Sequence, residues 1–260
     1  MRLVNGEDYH NIDLLCGGSP CQNFSFAGTR KGAVTKDNIE ITTLEKYLEL
    51  KEQGFEFEGQ SYLFWEYVRI LKEVKPKYFL LENVKMSKKW QDVISNALGV
   101  EPIEIDSALV SAQGRKRLYW TNIPNVTQPE DKGIGIEDIL EDYNVYYPEG
   151  HHDYLNLDYS KIDKSLYKIN PVAIGRSFQF KTLVRCDSNK AYTIAKAPKH
   201  CGILTEDNKI RPFTITECER LQTLPDGYTN VGNLSDNKRW ETVGNGWTID
   251  VIAHIFKNIK

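Results

Sequence analysis

The sequence predicts an α/β fold, an open, doubly wound type of sheet with a small irregular module set into the second half of the chain. Three observations carry this. Ile12-Asp13-Leu14-Leu15-Cys16 and Tyr78-Phe79-Leu80-Leu81 are short apolar runs of the kind that form buried strands. Between them, Ser61 to Val74 places Leu63, Phe64, Tyr67, Val68, Leu71 and Val74 on one stripe at helical spacing. After residue 122 the pattern breaks into acidic, then basic, weakly periodic sequence. A length of 260 residues suits one large domain, or one domain with an appendage, and 40% hydrophobic residues provide a core.

Charge and cysteine usage narrow the function. The formal net charge of −3 gives no global basic field, so nucleic-acid binding would have to come from local patches. The five cysteines (Cys16, Cys21, Cys186, Cys201 and Cys218) are odd in number and scattered. Without a Cys-x-x-Cys pair they argue against a structural zinc site, and no metal is expected. They suit a reducing cytosol, so the expected location is cytoplasmic. No segment reaches the length of a membrane-spanning helix, and the N-terminus lacks a signal-peptide pattern.

Taken in order, the first strand runs into Gly17-Gly18-Ser19-Pro20, a turn that leaves Cys21 on the loop beyond. Ligands of open α/β sheets bind at the carboxyl ends of strands, so Cys21 is either a nucleophile or a small buried hydrophobe. Gly28 through Gly59 reads as a long polar loop carrying Arg30, Lys31 and Lys36, either a solvated surface or a mobile segment that closes over a polyanion. Pro76 ends the helix at Val74. The second strand terminates in Glu82-Asn83-Val84, where a carboxylate is either a satisfied structural group or an acid/base. Trp90 to Leu98 forms a helix closed by Gly99, and Val100 to Asp106 alternates as a strand. In Gln113-Gly114-Arg115-Lys116-Arg117 the two arginines share one side of an extended chain, either a phosphate or base site or a solvated charged turn.

Beyond this, Gly133-Ile134-Gly135 is a turn, Ile136 to Leu140 a short helix, and His151-His152 surface. Pro171 to Pro198 turns basic, with β-prone pieces at Phe180 to Val184 and Ala191 to Ala195. Thr214 to Glu217 is a capping box opening a helix through Gln222, which Pro225-Asp226-Gly227 breaks. Gly244-Asn245-Gly246 is a turn, either a ligand-binding one or a plain bend. The last helix spans the Thr248–Ile259 region.

The order of these pieces resembles the motif series of the DNA (cytosine-5) methyltransferases: Pro20-Cys21-Gln22, Glu82-Asn83-Val84, Gln113-x-Arg115-x-Arg117, Arg211 to Glu217, Arg220-Leu221-Gln222 with Pro225-Asp226, and Gly244-Asn245. Arg30-Lys31-Gly32, Tyr228 to Ser235 and Trp247 to Phe256 resemble the de novo type within that family. The resemblance implies methyl transfer from S-adenosylmethionine to carbon 5 of a cytosine flipped out of double-stranded DNA. It implies Cys21 as the nucleophile, Glu82 on the N3 and amine edge of the base, and Arg115 and Arg117 orienting base and phosphate. Pro20, Leu63, Asn245 and Trp247 would meet the donor. Arg30, Lys31, Gln113, Lys181, Arg185 and Thr193 would meet DNA, with the Phe24–Gly59 loop folding over it.

The implied fold is an incomplete Rossmann-like S-adenosylmethionine-dependent methyltransferase sheet with a target-recognition region. Its divisions are 1–121 for the catalytic core, 122–210 for target recognition, and 211–260 for the return to the core. The Phe-x-Gly-x-Gly turn and the acidic residues of the family's first strands are not in this sequence, a gap on the order of 60 residues at ~30 per βαβ unit. Thr242 also stands where many members carry Gln. The expectation is therefore a chain that works with a companion fragment carrying the donor motifs. Two alternatives stand beside it: a non-enzymatic DNA-binding or regulatory remnant, and an intact transferase whose donor site is built differently, for example across a dimer. Restriction-modification, prophage and host-regulation settings are equally open.

Overall fold

A computed structural model of the chain describes residues 2–24, 31–141, 172–176, 182–185, 188–194, 201–204 and 210–260. Arg30, Lys181, Cys186 and His151-His152 lie outside the described residues. The chain forms two compact units, Met1–Ile105 with Lys116–Val126 and Asn258–Lys260, and Asp106–Arg115 with Thr127–Lys257.

The first unit carries a four-stranded sheet in the order β1 (Leu14–Gly18), β2 (Tyr78–Val84), β4 (Lys116–Thr121), β3 (Ile103–Asp106). β1 and β2 are parallel and β2 and β4 antiparallel, so the sheet is mixed. The helix α2 (Leu63–Val74) buries Phe64, Trp65, Tyr67 and Val68, and shares a core with Phe79, Leu81, Leu118 and Trp120. Lys75 closes it in a left-handed turn just before Pro76. A β-carbon at Gly17 would lie 2.7 Å from the Tyr67 ring, so only glycine lets β1 pass this close to α2. The helix α3 (Lys88–Leu98) ends at Gly99, with φ +72°, as its sequence requires.

Residues 31–60 differ from the expected polar loop. They contain a helix, α1 (Leu44–Glu52), capped by the Thr43 side chain, and β-bridges from Val34 to Glu40 and from Thr35 to Phe57. Ile41, Leu44, Tyr47 and Leu50 are buried in the unit's core. The i, i+3, i+6 spacing of Leu44, Tyr47 and Leu50 makes a narrow apolar stripe on an otherwise charged helix. Glu66 of α2, fully buried, accepts from Tyr47 Oη (2.5 Å), Lys51 Nζ (2.6 Å) and Arg69 Nε (2.9 Å), which ties α1 to α2.

The second unit holds an antiparallel sheet in the order β6 (Thr182–Arg185), β5 (Val172–Arg176), β7 (Cys201–Leu204), β8 (Ile210–Pro212). The sequence predicts a small irregular module here, and the region instead builds a regular antiparallel ladder. The helices α4 (Ile215–Leu221), α5 (Asp236–Asn245) and α6 (Ile249–Phe256) belong to the same unit. Ile203, Phe213, Cys218, Leu221 and Val243 share its apolar core, so 211–257 cluster with the sheet and only 258–260 group with the first unit. Thr214 makes both bonds of the expected capping box with Glu217. Glu217 also holds Arg211 through two bonds of 2.8 and 2.9 Å. Ile136–Asp138 is a single 3-10 turn.

Candidate active site

In the first unit, parallel register sets Gly18 of β1 beside Glu82 of β2, and antiparallel register sets Val84 beside Arg117 of β4. Side chains two apart on a strand share a face. Glu82 and Arg117 are therefore diagonal neighbours, and Arg117 Nε reaches Glu82 Oε1 at 3.0 Å. β2 thus runs through the carboxylate rather than ending before it, because the charge has a guanidinium opposite. The next residue, Asn83, is buried and donates to the Ser19 hydroxyl at 2.8 Å and the Ser19 carbonyl at 3.4 Å.

That bond fixes the turn that carries Cys21. Ser61 Oγ donates to the Pro20 carbonyl at 3.2 Å and accepts from Asn23 N at 3.1 Å, while Asn23 Nδ2 donates to the Glu58 carbonyl. Phe24 N closes a turn on the Cys21 carbonyl at 3.0 Å, and Gly32 N bonds the Asn23 carbonyl at 2.8 Å. Phe24 meets Trp90 edge-on, with ring centroids 5.6 Å apart. Cys21 is partly exposed, whereas Cys218 is buried and its thiol is pushed well up by burial. Cys201 is also buried and Cys16 is exposed within the paired strand β1, so Cys21 is the partly accessible described cysteine on the turn past the strand end. Lys31 is exposed and donates to Asn38.

Arg115 and Arg117 bond to different groups. Arg115 is 5% exposed, and its guanidinium donates to the carbonyls of Ile194 (3.2 Å), Gly244 (3.3 Å) and Gly246 (2.9 Å) in the second unit. Gln113, expected at DNA, is fully buried there. Its amide donates to Leu221 O at 2.6 Å and Gln222 Oε1 at 3.1 Å, and its carbonyl oxygen accepts from Ile194 N. The Thr193 hydroxyl donates to Gly114 O at 2.6 Å. Arg185 stands in β6. Gly244 and Asn245 end the helix α5 and Gly246 caps it, rather than forming a separate turn. Asn245 is exposed and Trp247 half-buried. Ser19, Ser61, Asn83 and Gln222 stand in the sequence only as members of a turn, a helix start or a motif, with no role of their own; the structure shows each polar side chain bonding within the fold.

Among the described residues, no group of three His, Cys, Asp or Glu could hold a metal, and no helix is long and apolar enough to cross a membrane. A cavity of about 430 Å³ in the first unit is lined by Arg2, Lys51, Phe55, Phe57 and Tyr62 among others, and by none of the candidate residues.

Comparison with known proteins bears on the family and the fold. The sequence profile of the family described as C-5 cytosine-specific DNA methylase matches residues 1–93 and 110–260. Type II methyltransferase M.FnuDI of Fusobacterium nucleatum is 25% identical over 312 aligned positions, covering 100% of this chain and 80% of that protein. Type II methyltransferase M.HhaI of Haemophilus parahaemolyticus is 24% identical, covering 98% of this chain and 78% of that one. Among solved structures, the Entamoeba histolytica methyltransferase EhMeth has a TM-score of 0.57 at 15% identity, covering 95% of this chain and 78% of that one. A DNMT2 variant of Spodoptera frugiperda has a TM-score of 0.53 at 18% identity, covering 95% and 79%. These structures speak to the fold. None of the relatives bears on the likeness to the de novo type.

Proposed function

The chain belongs to the C-5 cytosine-specific DNA methylase family, and from that premise we propose that Cys21, Glu82 and Arg117 form its acceptor-base machinery. The reaction is methylation of cytosine carbon 5 in double-stranded DNA, with S-adenosylmethionine as donor. Carbon 5 of cytosine is a weak nucleophile. Addition of the Cys21 thiolate to carbon 6 forms an S–C bond and moves the ring's electron pair onto carbon 5. Glu82 holds the N3 and exocyclic-amine edge and stabilises a proton on N3, which offsets the charge that the thiolate brings. Arg117 keeps Glu82 aimed at the base edge. The donor, when bound, supplies an electrophilic methyl group. Loss of the carbon-5 proton and departure of the Cys21 sulfur then restore the aromatic ring. Arg115, expected from the sequence to orient the base, has its guanidinium committed to three backbone carbonyls and is assigned a positioning role there. The observation that supports this reading best is the Glu82–Arg117 pair at the strand ends beside the pinned Cys21 turn.

The donor assignment, carried by the family resemblance, is Pro20, Leu63, Asn245 and Trp247. The residues present fit part of that group. The Ser61 bond brings Pro20 to the start of α2, two residues before the half-buried Leu63, which makes an apolar contact surface. The set contains no carboxylate for a ribose. We therefore retain the companion fragment in the proposal, with its place at the edge of β1. The Asp13 carbonyl accepts from Tyr78, so odd-numbered residues face β2, and Leu14, Cys16 and Gly18 direct their backbone groups away from it. Lys31, Arg30, Lys181, Arg185 and Thr193 are assigned to DNA, while Gln113, expected there from the sequence, is buried and instead holds the backbone at Ile194 and Leu221. The region 122–210 would read the target, between a catalytic core at 1–121 and its return at 211–260.

The acceptor chemistry can be tested without a donor. Thiolate addition makes carbon 5 exchange its hydrogen with water, so DNA tritiated at cytosine carbon 5 should release tritium in the presence of the chain. Cys21→Ser should abolish the release. Release that survives Cys21→Ser would refute the mechanism.

A further inference from the structure

We propose that Gln222 is a positioning residue that couples the DNA-reading segment, residues 190–194, to the donor-side segment, residues 244–248. This rests on the assignment of Thr193 to DNA and of Asn245 and Trp247 to the donor.

Gln222 is fully buried in the second unit. Its amide donates to Val243 O at 2.8 Å and Gly246 O at 3.1 Å, and its carbonyl oxygen accepts from Gln113 Nε2 at 3.1 Å and Thr248 Oγ1 at 2.8 Å. Two donors and two lone pairs are the full capacity of a carboxamide. The assignment has one workable direction. A flipped amide would set its oxygen against two carbonyls and its NH₂ against that of Gln113. The backbone takes part too, since Ile249 N donates to Gln222 O at 3.0 Å.

Gln113 extends the chain of bonds to the other segment, because its oxygen accepts from Ile194 N at 3.2 Å. Gly114 N to Ala191 O (2.9 Å), Ala191 N to Ala112 O (2.6 Å) and Thr193 Oγ1 to Gly114 O seat the 190–194 segment on the same loop. Lys190 Nζ pins that loop through the carbonyls of Ala108, Ser111 and Ile134. Arg115 makes a second link of the same kind, from Ile194 O to Gly244 O and Gly246 O. A shift of Ile194 thus breaks or remakes bonds that hold Gly246 and Thr248. With every donor and acceptor of Gln222 committed, it cannot absorb the shift by turning to water. Such a contiguous, fully satisfied network can transmit a binding event as a change in local opening.

The test is hydrogen exchange on the whole chain with and without sonicated genomic DNA, which carries every short target sequence. In the wild type, DNA should slow exchange at 188–194 and also at 246–252, each by roughly fivefold or more. In Gln222→Met the slowing at 188–194 should persist and that at 246–252 should disappear. If the variant fails to fold, as judged by circular dichroism, Thr248→Val removes the bond to Gln222 together with the one from Ser107 Oγ, at nearly constant volume, and should weaken the distal slowing. Slowing confined to 188–194 in the wild type, or distal slowing unchanged in the variants, overturns the coupling and leaves the DNA assignment standing. Slowing at neither segment overturns the DNA assignment, and the coupling with it.

Discussion

Replacing Arg117 by methionine isolates the ion pair at the centre of the proposed site. The two side chains are 15% and 13% exposed, so the 3.0 Å contact is neither a solvated surface pair nor a fully desolvated one. A hydrogen bond to a charged group at such a site contributes about 1.5–3 kcal/mol. At 1.4 kcal/mol per decade, its loss corresponds to a rate reduction of roughly 10- to 150-fold if the pair holds Glu82 in its working position. Arg117→Lys keeps the charge but loses the planar donor, so it should fall between the variant and the wild type. The assay is tritium release from cytosine carbon 5, with saturating DNA and no donor. Thermal unfolding of each variant separates site effects from folding. A rate for Arg117→Met within twofold of the wild type, in a protein that unfolds at the same temperature, would refute the role of the pair.

Three further outcomes follow from the packing. Burial would raise the Glu66 carboxyl, but hydrogen bonds from Lys51, Tyr47 and Arg69 outweigh it and hold the group below the ordinary carboxylate range. Its stabilisation is therefore present above the unfolded value of about 4.3 and is lost as pH falls through the folded value. Glu66→Gln should flatten the acid limb of urea-unfolding stability, and an unchanged limb would refute this. A β-carbon at Gly32 would lie 1.9 Å from Trp90 at φ +74°, so Gly32→Ala should cost roughly 3 kcal/mol in urea unfolding. A loss below about 1 kcal/mol would show that Trp90 gives way easily. Arg211 and Glu217 are 2% and 0% exposed, so Arg211→Met leaves a buried carboxylate without its counter-ion and should cost about 3–5 kcal/mol. Differential scanning calorimetry should find a large fall in unfolding temperature, and a small one would contradict the pairing argument.

What the sequence made legible was local. The α2 stripe, the Gly99 cap and the Thr214–Glu217 box are written within a few residues, and each appears as expected. The order of Cys21, Glu82 and the arginines was legible through resemblance. Elements whose signal is shared with distant partners were not. In α1, Glu45, Lys46, Glu49, Lys51 and Glu52 mask Leu44, Tyr47 and Leu50, and the partner of Lys51 and of the Tyr47 hydroxyl is Glu66, well separated in the sequence. The helix α5 offers little apolar sequence beyond Trp240 and Val243, and its Gly244 reads as a breaker. β7 and β8 close on each other so tightly that a β-carbon at Gly202 would strike the Arg211 carbonyl at 2.2 Å, a demand of pairing that neither segment shows alone. Gln113 looked like a surface reader because it sits among charges. Its burial depends on Gln222, more than a hundred residues away in the chain.

Successive residues of β2 divide the labour at the proposed site. Because neighbours on a strand point to opposite faces, Glu82 meets Arg117 on one side while Asn83 reaches Ser19 on the other. One bond fixes the charge that would hold the base edge. The other fixes the turn three residues past β1 that delivers Cys21. A slip of one residue in the β1–β2 register would exchange these two faces, withdrawing the carboxylate and releasing the cysteine turn together. The spacing between nucleophile and acid therefore depends on strand pairing, and the same pairing depends on Gly17 passing Tyr67 without a side chain. The apolar core beneath β1 and β2 thus sets the geometry of the chemistry above it, and this explains why a site of three polar side chains needs an entire mixed sheet to hold it.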